Sequence, residues 1–201
     1  MKSLFSFIVK PKTSRYNNSK DIDGKELVLN TEMSNHKFVS REGIVLETPL
    51  AEKTDIQKGD TVIVHHNVFR RFNDIHGKEV NSKSFFKEDT YFVYSDQIFL
   101  YKRDNDWIPQ PGFSWVAPIK NKNVYSNEKE QPLIGIMVYL DDALKNKGIN
   151  AGDLVGFIPT SEYEFIIDGR RLYRVPNNSI SIIYEYQGDE EEYHSSWAQS
   201  S

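Results

Sequence analysis

The sequence predicts an all-β protein made of two small β-barrels in tandem, and three observations carry that expectation. Apolar segments are short, rich in Val, Ile, Phe and Tyr, and separated by turn residues, the pattern of short strands rather than of amphipathic helices. Only residues 141–147 look helical, two Asp preceding a short polar turn, which allows a turn or two at most. Four landmarks also recur in the same order in both halves of the chain, so one module is read as written twice.

In the first half the expected strands lie at residues 5–9, 43–46, 61–64, 91–94 and 98–101. In the second they lie at 113–117, 133–140, 154–158, 164–167 and 180–186. Short strands at this spacing close into small barrels or sandwiches. The repeat is clearest where "IQKGDTVIV" from Ile56 returns as "INAGDLVGF" from Ile149. "FSFIVKPK" from Phe5 is matched to "FSWVAPIK" from Phe113, "GIVL" from Gly43 to "GIMV" from Gly135, and "VYSDQIFLY" from Val93 to "VPNNSISII" from Val175. The join is placed near "RDNDWIPQPG", residues 103–112, whose two Pro suit a short, stiff connector. Modules at about 1–104 and 111–187 follow. The remainder, residues 188–201, "GDEEEYHSSWAQSS", reads as an acidic, polar and disordered tail.

Composition excludes several classes. The 201 residues contain no Cys, so there is neither a disulfide framework nor a thiolate site. No apolar stretch approaches the roughly 20 residues that span a bilayer, and the N-terminus lacks the features of a signal peptide. A soluble, cytoplasmic protein is expected. A catalytic arrangement is not found: there is no Gly-rich phosphate loop and no nucleophile motif. His65, His66 and His76 invite a metal, but adjacent His on a strand point to opposite faces, so neither metal nor cofactor is expected. Small β-barrels do bind single-stranded nucleic acid through aromatic and basic residues, here Tyr91, Phe92, Arg70 and Arg71. The net charge of -4 argues against that function.

Taken together, these landmarks resemble the GroES co-chaperonin family in both halves. In the second the matching residues are "FSWVAPIK", "LIGIMVYL", "INAGDLVGF" and "NNSISIIYEY"; in the first they are "FSFIVKPK", "REGIVLE", "IQKGDTVIV" and "SDQIFLYK". The resemblance implies two GroES-like barrels and no catalytic activity of the chain's own. It implies a co-chaperonin that caps the ATP-bound ring of a GroEL-type chaperonin, forms a homo-oligomeric ring itself, and meets unfolded client proteins only indirectly. It also gives meaning to residues 13–40, a polar segment unusually long for a compact domain. Members of the family carry a mobile loop here, with a Gly followed by an apolar tripeptide that docks on the chaperonin. Leu27, Val28 and Leu29, after Gly24-Lys25-Glu26, fall on those positions. The alternative for "ELVLN" is an extra strand laid on the barrel. For the whole chain it is a non-enzymatic β-barrel protein that serves assembly or structure, or binds single-stranded nucleic acid.

The chain also departs from the family. The second module has only "NKNVYSNEKEQP" where the loop belongs, so one anchor per chain is expected. The first module carries an insertion at residues 65–89 whose Phe69, Phe72, Phe85 and Phe86 are read as covering the barrel.

Overall fold

The computed structural model describes residues 2–16, 19–22, 25–28, 38–123, 125, 127–185 and 188–195, with only the backbone of 19–22 and 25–28. The chain divides into two compact units, Met1–Trp107 and Ile108–Ser201. Nearly every element is a strand, as an all-β sequence requires.

The first unit contains β1 (Phe7–Pro11), β2 (Ser19–Ile22), β3 (Lys25–Val28), β4 (Glu42–Glu47), β5 (Thr61–Val64) and β6 (Arg71–Asn73). It continues with β7 (Glu79–Asn81), β8 (Phe85–Lys87), β9 (Thr90–Val93), β10 (Ile98–Arg103) and β11 (Asp106–Pro109). The division between units falls inside β11. Seven strands form one sheet in the order β11-β10-β5-β4-β1-β9-β8, while among the described residues β2 pairs only with β3 and β6 only with β7. Phe7, Val9, Val45, Val62, Val64, Phe69, Tyr91 and Ile98 make its core. Strands β1 and β5 are short, nearly continuous apolar runs rather than alternating ones: Ile8, between Phe7 and Val9, and Ile63, between Val62 and Val64, are as buried as their neighbours, the pattern of strands covered on both faces.

The second unit holds β12 (Phe113–Lys120), β13 (Glu130–Tyr139), α1 (Asp142–Lys145), β14 (Leu154–Phe157), β15 (Tyr163–Ile167), β16 (Arg170–Pro176) and β17 (Ile180–Tyr184). Asp141 caps α1 by accepting from the Leu144 amide, and the four-residue helix ends at once in a Gly-containing turn. The sheet order is β15-β16-β12-β13-β14-β17. Read from the opposite end, the first unit gives β8-β9-β1-β4-β5-β10, so the two units repeat one topology, with β11 as an extra strand outside β10.

The repeat extends to single hydrogen bonds. In the Gly-Asp turn, Asp60 accepts from the Gln57 amide at 2.8 Å and Asp153 from the Asn150 amide at 2.7 Å. Gly59 and Gly152 take φ of 95° and 96°, a region closed to most side chains. Met137 and Val45 then each exchange bonds with their Gly-Asp pair. The opening strands match differently from the alignment of Phe5 with Phe113. Pro11 lies opposite Gly43 and Pro118 opposite Gly135, and a bulge precedes Val9 as it precedes Val116. Pro118, not Ile119, is therefore the partner of Pro11. A shared "FS" is a weak landmark beside a packing constraint that involves glycine.

The tail departs from the expected disorder over the residues described. The Lys120 amide donates to Glu191 O and the Tyr193 amide to Pro118 O, each at 2.8 Å. Strand β16 pairs with β12 only as far as Val116, which leaves the rest of that edge open. Residues 191–193 fill it, and their carboxylates meet cations, Glu191 with Lys120 and Glu192 with the Arg170 guanidinium. The insertion also divides. Phe69 is fully buried and Phe85 packs on the core, but Phe72 and Phe86 are exposed. His65 and His66 follow β5 in a turn, not on a strand, and their rings stack at 4.3 Å instead of diverging.

Candidate functional site

Residues 12–41 connect β1 to β4, and their two ends meet again at the surface of the first unit. Tyr16 and Val39 form an antiparallel bridge, and the Ser40 amide donates to Arg15 O at 2.9 Å. The bridge closes the root of the segment between those residues, the arm. Inside it β2 and β3 pair in register, Ile22 opposite Lys25, Lys20 opposite Leu27 and Ser19 opposite Val28. Two residues, Asp23-Gly24, join the strands, and Asp-Gly between two short strands is a strong hairpin signal.

Of the three residues singled out from the sequence, Leu27 and Val28 thus lie in β3, and Leu29 lies outside the described residues. Within the segment, residues 19–22 and 25–28 are paired strands. "ELVLN" does contain a strand, but its described pairing is to β2, not to the seven-stranded sheet.

The root is built by residues that sequence reasoning passed over. The Arg15 guanidinium donates from Nε to Phe69 O at 3.1 Å and from Nη1 to Asn81 Oδ1 at 2.9 Å. It lies over the rings of Phe85 and Tyr91, 5.5 and 5.4 Å from their centroids. Burial pulls the Arg15 pKa below its ordinary value and pushes the Tyr91 phenol above its own. The Tyr16 hydroxyl accepts from the Arg71 amide at 2.6 Å. These partners line a cavity of about 650 Å³ with Arg71, Glu79, Glu88 and Asp89 on its walls. Phe69, Arg71, Asn81 and Phe85 all belong to the insertion at residues 65–89. The available signal was the coincidence of two insertions, an arm and a Phe-rich segment, in the same module.

The second unit has its own charged cavity, of about 570 Å³, lined by Glu130, Glu162, Arg171, Tyr173 and Tyr193 among others. Arg171 donates to Glu164 and to Glu130, each at 2.7 Å, and the Tyr173 hydroxyl donates to Glu130 at 2.8 Å. Burial first, then the bond to Glu130, hold the Tyr173 phenol above the usual tyrosine range. Arg171, Glu164 and Tyr173 spend their polar atoms on one another, so this network secures β15, β16 and the start of β13. Among the described residues no cluster of three or more His, Asp or Glu is placed to hold a metal ion, and no helix is long and apolar enough to cross a membrane.

Comparison with protein-family models gives no match, and neither does comparison with curated proteins.

Proposed function

We propose that the chain is a non-enzymatic co-chaperonin of the GroES type, a cytoplasmic lid that docks on the ATP-bound ring of a GroEL-type chaperonin through Leu27, Val28 and Leu29. The observation that carries this reading is the rooted arm. Two paired strands bearing the start of an apolar triplet lie in the chain between Tyr16 and Val39, which bridge one another, and pair only with each other among the described strands. An apolar triplet on such an arm is best explained by a partner that buries it.

The energies fit a lid. Burial of two Leu and one Val yields about 1.5–3 kcal/mol per side chain, and ordering a segment on binding offsets about 2–5 kcal/mol. A single arm therefore binds weakly, while several arms on one assembly bind through their effective concentration and release together when the partner changes shape.

Assembly of several copies is part of the proposal, and strand β17 supports it. In the first unit the equivalent strand β10 is covered by β11. In the second, β17 is an edge whose Ile182 and Ile183 are 49% and 52% exposed. Apolar edges of this kind invite a strand from another copy. The test is co-sedimentation with a large chaperonin ring in the presence and absence of ATP. ATP-dependent pelleting that Leu27→Asp with Leu29→Asp abolishes is the expected result. Pelleting that survives both changes places the anchor elsewhere, and no pelleting at all removes the proposal.

A further inference from the structure

The insertion at residues 65–89 has no assigned role, and the second unit is its internal control. Between β1 and β4 the first unit has residues 12–41; between β12 and β13 the second has only 121–129. Between β5 and β8 the first unit has residues 65–84; between β14 and β15 the second has only 158–162. The unit with the arm has the insertion, and the unit with neither keeps the same sheet order. The insertion is thus not needed to complete this topology.

Its contacts indicate what it is needed for. The Arg15 guanidinium hydrogen-bonds to it twice, at Phe69 O and Asn81 Oδ1. The Tyr16 hydroxyl takes the Arg71 amide from it, and Phe85 offers its ring beneath the guanidinium. Within the insertion, β6 pairs with β7 from Arg71 opposite Asn81 to Asn73 opposite Glu79. The Ser82 hydroxyl donates to Val68 O, closing the base of that hairpin. Phe69 is anchored in the core against Tyr91, ring centroids 4.8 Å apart. A fork-shaped cation held in two directions by hydrogen bonds and stacked on two rings fixes position and orientation together, which a lysine ammonium does not.

We propose that the insertion is a socket for the arm, with Arg15 the positioning residue that locks the arm's root into it, so that the hairpin leaves the unit from one fixed point. The role of the arm in docking rests on the function proposed above; the socket does not. A fixed root lowers the number of orientations an arm must lose on meeting a partner, and so favours binding through pre-organisation.

The test uses the full chain with no partner present and reads amide hydrogen exchange residue by residue. The Ser40 amide, bonded to Arg15 O, and the Arg71 amide, bonded to the Tyr16 hydroxyl, report on the root. The Val45 amide, bonded to Asp60 O in the sheet, reports on the unit as a whole. In Arg15→Ala the two root amides exchange about tenfold faster or more, the effect of losing hydrogen bonds from a charged donor, while Val45 is unchanged. In Asn81→Asp, which gives Arg15 a carboxylate, Ser40 exchanges more slowly. Unchanged root rates in Arg15→Ala, or equal acceleration of Ser40 and Val45, overturn the socket. Where Arg15→Ala does not fold, Asn81→Asp decides: slower exchange at Ser40 supports the socket and an unchanged rate overturns it. A root that loosens as described in a chain that binds no chaperonin ring upholds the socket and removes the docking reading alone.

Discussion

Gly43 and Gly135 occupy equivalent places in the two units, and each is there because a neighbour fills the space of a side chain. A Cβ on Gly43 meets Val9 Cγ1 at 2.4 Å and Phe69 Cζ at 3.2 Å; on Gly135 it meets Ala117 O at 2.4 Å and Val116 Cγ1 at 2.5 Å. Side-chain tips yield more readily than backbone, so Gly135→Ala is the costlier change. It is expected to destabilise its unit by about 1–3 kcal/mol, the usual cost of overpacking, with Gly43→Ala costing less. Denaturant titration of both variants checks the order. Tyr173 supplies a pH dependence. The native state holds its phenolic proton more tightly than the unfolded chain does. Its contribution is complete below about pH 10 and declines as pH rises above that value. Tyr173→Phe is accordingly less stable at neutral pH, but its unfolding midpoint falls less steeply above pH 10; parallel falls contradict this role for the phenol. Both glycines are visible in the sequence as parts of "GIVL" and "GIMV". The phenol's partners are not, because Glu130 is far from Tyr173 in sequence and meets it only through the pairing of β13, β12 and β16.

Among the elements, short strands were legible wherever a run of Val, Ile, Phe or Tyr stands between turn residues, because burial of the whole run and turn chemistry act together there. The Gly-Asp turn was legible for a related reason: only Gly meets the backbone demand at φ near 95°, and the Asp carboxylate closes the turn onto an amide. What escaped were elements whose cause lies elsewhere in the chain. The hairpin of β2 and β3 is announced by Asp23-Gly24, but apart from Ile22, Leu27 and Val28 its residues are polar and charged, so it shows no apolar alternation. The tail looks solvated by composition, yet it pairs where β12 outruns β16 and its carboxylates find Lys120 and Arg170. Strand β17 carries a prediction of its own. Placing a charge on its exposed edge with Ile183→Lys is expected to reduce the assembled species seen by analytical ultracentrifugation while leaving the β-sheet circular dichroism intact. An unchanged size distribution argues against assembly through this edge.

At the level of the whole molecule, two units share one strand order; the first adds the arm, the insertion that meets its root and the strand β11 that covers β10, and the second adds α1 and the tail that pairs with β12. The repeat itself was readable because turn residues and buried apolar runs are constrained in both copies alike. The division of labour between the copies was only half readable, since the sequence displays two unusual segments in one module without displaying that they touch. On the function proposed above, the apolar triplet on the arm exists to be buried in another molecule. Amide hydrogen exchange at Leu27, Val28 and Leu29, measured with and without an ATP-loaded chaperonin ring, tests this most directly. Fast exchange alone and marked protection on adding the ring, confined to these residues and their hairpin neighbours, is the expected result. Amides equally protected with and without the ring would contradict it, because the triplet would then have its partner within its own chain.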